Sequence, residues 1–273
     1  MEGVYEGFIF RSGARASCGS TNAAAPVWVE LTMMKKMFFW LLLVLETLAV
    51  EPGSSSFTLP VDRATYLAEV AALSRLDWPK NRALMIVCHG HSVPAGYFKT
   101  PVVNSLGSYP HLLRVGLAEK YPHAVINVVV TAIGGEDSEK GLLRFERDVM
   151  SLHPDVVTID YGLNDRGMGL QRAASAWRAM IERAKTGGAR VILLTPTPDT
   201  AAKWADPSDK LALHAEQIRG LAREYKVALV DSYALFQRHA ATGGVTETLM
   251  SQRNHPNEKG HALVSAALLE WFP

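Results

Sequence analysis

Four short segments of this 273-residue chain carry residue types suited to acyl transfer. They are Gly90-His91-Ser92-Val93-Pro94-Ala95-Gly96, Thr131-Ala132-Ile133-Gly134-Gly135-Glu136-Asp137, Tyr161-Gly162-Leu163-Asn164-Asp165 and Gln252-Arg253-Asn254-His255-Pro256-Asn257. Between them they offer a hydroxyl, an imidazole, a glycine turn and a carboxamide. A serine hydroxyl is a weak nucleophile until an imidazole takes its proton. The oxyanion that then forms needs N–H donors, which a backbone turn and an asparagine amide supply. Each residue also has a plainer reading. Ser92 could be a helix N-cap, Gly134-Gly135 and Asn164 could serve turns, and His255 could mark a helix entry before Pro256.

The surrounding pattern decides whether these segments meet. Apolar runs at Ala83–Cys88, Ala124–Val130, Asp155–Asp160, Arg190–Thr195 and Val227–Asp231 read as strands. Helical spacing fills the intervals at 63–74, 109–120, 138–152, 170–185 and 208–225, with a closing helix over 257–272. Apolar strands that alternate with helices make a parallel sheet covered on both faces. The expected fold is therefore α/β, a flavodoxin-like three-layer α/β/α sandwich with a five-stranded parallel sheet. Ligands in such folds sit at the carboxyl ends of the strands. Three of the four segments follow directly on predicted strands.

The four blocks, in this order, resemble the SGNH hydrolase superfamily, the GDSL-type lipases and esterases. The resemblance spans residues 83–272. It implies Ser92 as nucleophile and His255 as base, with Ser92, Gly135 and Asn164 lining an oxyanion hole. Two positions depart from the family pattern. Its Gly-Asp-Ser block reads Gly90-His91-Ser92 here, and its triad aspartate is replaced by Gln252. A histidine can still be oriented by another acceptor for its second ring N–H, either Gln252 or a backbone carbonyl of the same loop. Asp165, Asp199 and Asp231 are further candidates for the missing acid. The implied activity is cleavage of short-chain carboxylic esters, among them O-acetyl groups on carbohydrate, with no cofactor. Lysophospholipase or thioesterase activity is an alternative, as is a non-catalytic binding module of the same fold, which Gln252 favours. An α/β-hydrolase is disfavoured because Gly-x-Ser-x-Gly would need glycine where Pro94 stands.

The first sixty residues differ in kind. Lys35-Lys36 precede the apolar run Met37–Leu45, and small or polar residues follow. Segment 33–50 therefore reads as a secretory signal peptide or an uncleaved signal anchor, and the protein as exported. On that reading 1–32 is a doubtful extension, 51–61 a linker and 62–273 the hydrolase domain. The formal net charge is +1, without a basic stripe, so nucleic acid is not an expected partner. Membrane contact is expected only through the N-terminal segment. His89 and His91 lack a matching third ligand, and no metal is expected. Two cysteines, Cys18 and Cys88, exclude a disulfide scaffold. Trp204, in the long loop after the fourth strand, is either a stacking platform for a sugar ring or a packing residue.

Overall fold

The computed structural model describes residues 59–203, 205–244 and 246–273. The extension 1–32, the signal-like segment 33–50, Cys18 and Trp204 lie outside the described residues. Strands β1 (Leu84–Gly90), β2 (Ile126–Val130), β3 (Val156–Asp160), β4 (Arg190–Leu194) and β5 (Ala228–Val230) form one parallel sheet. Their order is β2-β1-β3-β4-β5. Strands β3 and β5 are buried throughout, as apolar runs covered on both faces must be. Strand β2, at an edge, is only half-buried.

Two helical layers supply the cover. The helices are α1 (Arg63–Tyr66), α2 (Ala68–Ser74), α3 (Ser92–Ala95), α4 (Tyr109–Lys120), α5 (Ser138–Asp148), α6 (Gly162–Asp165), α7 (Leu170–Thr186), α8 (Lys210–Tyr225), α9 (Ser232–Ala241) and α10 (Glu258–Leu269). On one face Leu84, Ile86 and Cys88 of β1 pack with Leu113 and Leu117 of α4 and with Val264 and Leu268 of α10. On the other, Val87, Val157 and Ile159 pack with Phe145 of α5 and Trp177 and Ile181 of α7. Cys88 is a free, fully buried thiol whose pKa burial pushes up to about 12.

Local chemistry starts the helices where the chain must turn. Asp137, Asp209, Asp231 and Asn257 each accept a backbone N–H in the first turn of α5, α8, α9 and α10. The helix expected over 63–74 is two helices, broken at the buried Leu67. Residues 232–241 form α9, and 250–256 hold an antiparallel hairpin of β6 (Met250–Gln252) and β7 (His255–Pro256). Leu59 and Val61, at the end of the expected linker, pack against the core, so the domain includes them.

The strand order reverses between β1 and β3, which opens a crevice at their carboxyl ends. Gly90 lets the two strand ends close up. A Cβ on it would lie 2.4 Å from the Asp160 carbonyl oxygen and 2.7 Å from Pro94 Cγ. Gly90→Ala should destabilise the fold by about 1–3 kcal/mol or more, the range for overpacked cores. Urea unfolding of the purified variant measures it, and wild-type stability would show that the two ends can part freely.

Candidate active site

Strand β1 delivers Ser92 to the crevice. His91 caps α3, its Nδ1 accepting the Val93 N–H at 3.2 Å. The same nitrogen stands 3.4 Å from Ser92 Oγ. Ser92 opens the helix, so no intrahelical acceptor claims its N–H. Hairpin β6–β7 brings His255 from the far end of the chain. Its Nε2 lies 2.9 Å from Ser92 Oγ. The Ser251 hydroxyl pins the hairpin by donating to the carbonyls of His255 and Pro256.

The second ring nitrogen of His255 has two neighbours. The Phe98 carbonyl oxygen stands 2.9 Å from Nδ1 and the Gln252 amide nitrogen 2.7 Å. A carbonyl only accepts, so its bond puts the proton on Nδ1 and leaves Nε2 free to accept from Ser92. An amide NH2 only donates, so the Gln252 contact is a bond only in the opposite tautomer. In that tautomer Nε2 carries a proton and cannot act as base. The Gln252 oxygen is engaged elsewhere, accepting the Thr100 N–H at 2.9 Å. The acceptor role expected of Gln252 therefore falls to Phe98. That carbonyl belongs to the segment after α3, not to the histidine's own loop. Burial lowers the pKa of His255, the Phe98 bond partly offsets it, and His91 lowers it further.

The loops after β2 and β3 are tied together. Asn164, in α6, donates through Nδ2 to the Glu136 carbonyl at 2.8 Å, which orients the amide and leaves its second N–H available. Gly135 has φ +79, and a Cβ there would meet nothing within 4 Å, so the space beside it is open. That conformation favours glycine. Arg144 sits beneath this loop, buried and fully used. It donates to Glu136, Thr131 O, Asp148 and the Tyr161 hydroxyl. His89 completes the network through Thr131 Oγ1 and Tyr161 Oη. Burial, then Arg144, lowers its pKa to about 3, so the ring is neutral. Sequence reasoning singled out neither Arg144 nor Tyr161.

The candidate acids are occupied elsewhere. Asp165 accepts from Ser138 N and Trp177 Nε1. Asp199 is held between Arg166 and Arg253. Asp231 pairs with Arg219 and accepts from Thr195 Oγ1. None of the three bonds His255. Asp160 lies 3.4 Å from His91 Nε2 and accepts from the Tyr109 hydroxyl. Among the described residues no group of three or more His, Cys, Asp or Glu is placed to hold a metal ion.

The model of the GDSL-like lipase/acylhydrolase family matches residues 88–263. The chain belongs to that family. It is a carboxylic ester hydrolase of the SGNH type. An acetylxylan esterase of Geobacillus stearothermophilus is 26% identical over 168 residues, which is 57% of this chain and 76% of that protein. A crystal structure of an acetylxylan esterase from the same organism superposes with a TM-score of 0.60 at 22% identity, covering 69% of this chain and 94% of its own. A two-domain esterase active on acetylated mannans gives 0.64 at 19% identity, over 80% of this chain and 55% of its own. These structures share the fold of this GDSL-like hydrolase.

Gln252 gives the site its clearest test. Gln252→Asp removes the amide donor that favours the idle tautomer and sets a carboxylate beside Nδ1. The expected outcome is a kcat higher by ~10-fold. An imidazole acting as base works only when neutral, so if His255 has that role activity is lost as pH falls through its pKa. Burial lowers that pKa in the wild type, and the new negative charge raises it, so the acidic limb moves to higher pH. A folded Gln252→Asp enzyme that is slower, with the limb unmoved, would overturn the tautomer argument.

Proposed function

We propose that Ser92 attacks the carbonyl of a short-chain ester while His255 takes its proton. The Phe98 carbonyl holds the imidazole in the working tautomer, in the post that an aspartate occupies in the family pattern. The N–H groups of Ser92 and Gly135 and the Asn164 amide stabilise the oxyanion. Collapse of the tetrahedral intermediate expels the alcohol, which leaves with the proton held by His255, and the acyl group remains on Ser92. Water, deprotonated by His255, then attacks the acyl-enzyme, releases the carboxylic acid and restores the serine. The observation that carries this reading is the 2.9 Å contact between His255 Nε2 and Ser92 Oγ.

The substrate class we infer is short acyl esters, with O-acetyl groups on carbohydrate foremost. The acetylxylan esterase and the mannan-active esterase above support it. Tyr97 supports a short acyl group independently. Its ring is tilted 5.9 Å from that of His255, and a Cβ on Gly134 would come within 2.9 Å of it. Aromatic bulk beside base and oxyanion loop is what a short acyl group would meet there. The signal-like segment 33–50 supports an exported enzyme, secreted or anchored at its N-terminus. Among the described residues no helix is long and apolar enough to cross a membrane.

Ser92→Ala should lower kcat by at least ~10³ and abolish labelling by a serine-directed phosphonate. Near-normal turnover by the folded variant would remove Ser92 from the role. Asn164→Ala should lower kcat by about 10²–10³ with little change in KM, because its free N–H acts on charge that develops in the transition state. A change in KM alone would make Asn164 a substrate contact instead. Both are measured on a panel of acetyl to octanoyl esters, where the wild type should prefer acetyl.

A further inference from the structure

A cavity of about 370 Å³ lies between the loop that follows Asn164 and the first turns of α8. Arg166, Gly169, Leu170, Lys210, Leu213 and His214 are among the residues that line it. Its volume suits a small-molecule site. His214 is only 3% exposed, yet among the described residues neither ring nitrogen has a hydrogen-bond partner. Buried polar rings normally have one. His214 lines the cavity, and its ring nitrogens are not among the fully buried unpartnered atoms, so they open on space that solvent or a ligand can fill.

The charges around the ring have one sign. After burial, Arg166 and Lys210 are what lower the proton affinity of His214, to a pKa of about 4. Lys210 makes no ion pair among the described residues. Arg166 shares a single carboxylate, Asp199, with Arg253, so one negative charge serves two guanidinium groups. The 17-residue helix α7 also begins here. Its N-cap is Gly169, which offers no capping side chain, and a Cβ there would meet nothing within 4 Å. Such a helix start carries free N–H groups and partial positive charge. Leu170 and Leu213, both partly exposed, give the cavity an apolar side.

We propose that this cavity binds a small organic anion, its carboxylate or phosphate head held by Lys210, Arg166, the His214 ring N–H and the start of α7. An imidazole kept neutral by two cations still donates one N–H, which is what an anion needs from it. The apolar side would take the ligand's carbon body. The head group has two sources, an acidic sugar or a phosphate ester. The reading is independent of the chemistry assigned to Ser92.

The test is calorimetric titration of the full chain with D-glucuronate, inorganic phosphate and D-glucose at constant ionic strength, with the His214 imidazole followed by NMR. Saturable binding of glucuronate, phosphate or both is expected, with none of glucose, and the His214 signals should move with it. Tighter glucuronate identifies an acidic sugar, and tighter phosphate a phosphate ester. Lys210→Glu, on an exposed side chain, should weaken binding about tenfold or more, and His214→Gln should do likewise if it folds. No saturable binding of either anion at tens of millimolar would overturn the proposal. So would unmoved His214 signals, or a Lys210→Glu protein that binds as the wild type does.

Discussion

The carboxyl end of β1 is the joint on which the site depends. Over residues 88–91 it bonds both flanking loops. The Cys88 and Gly90 carbonyls accept from Thr131 N and Ile133 N, and His91 N donates to the Asp160 carbonyl. The first two fix the loop that carries Gly135, and the third fixes the strand end that leads to Asn164. Only glycine at position 90 lets the Asp160 carbonyl come so near. The turn that presents Ser92 therefore also sets its distance from the loops that carry Gly135 and Asn164. Loops tied in this way would hold the donors of the proposed mechanism in place before charge develops.

His255 depends on a longer-range contact. It arrives on a two-residue strand, too short to define a ring orientation by pairing alone. Phe98 O supplies the orientation from a segment 157 residues earlier. A neutral carbonyl fixes a tautomer as well as a carboxylate does. What it lacks is the charge that would stabilise an imidazolium formed in the proposed attack. Asp165, Asp199 and Asp231 do not make good this lack, because their hydrogen bonds and ion pairs go to other groups and none bonds His255. On the proposed mechanism the Ser92–His255–Phe98 chain is connected but deficient in one charge.

Much of this was legible in the sequence, because its signals are local. Apolar runs gave all five sheet strands within two residues or so, and the serine, glycine and asparagine blocks sit where such runs end. The helix over 109–120 came out as expected. What escaped notice was either not local or not a side chain. A backbone carbonyl such as Phe98 O has no residue-type signature, so its role follows only from the fold. The β6–β7 hairpin is too short for a period-2 pattern to register. The break at Leu67 interrupts an unbroken apolar periodicity, where packing overrides propensity. Arg144 reads in sequence as one more charge on an amphipathic helix, and its partners are gathered only when α5 docks.

Arg144 shows why the loop that carries Gly135 accepts a buried ion pair. Removing a guanidinium from water is unfavourable unless its donors are matched. Here its hydrogen bonds to Glu136, Thr131 O, Asp148 and Tyr161 use the whole fork. Glu136 is gripped at its side chain by Arg144 and at its carbonyl by Asn164. A shift of the loop by one residue would break both grips and leave a buried charge unpaired. An apolar plug of similar size would fill the space without such a penalty for misregister. The ion pair therefore acts less as a source of stability than as a gauge. It makes wrong positions of Gly135 costly, and with them wrong positions of the backbone N–H that the proposed mechanism assigns to the oxyanion.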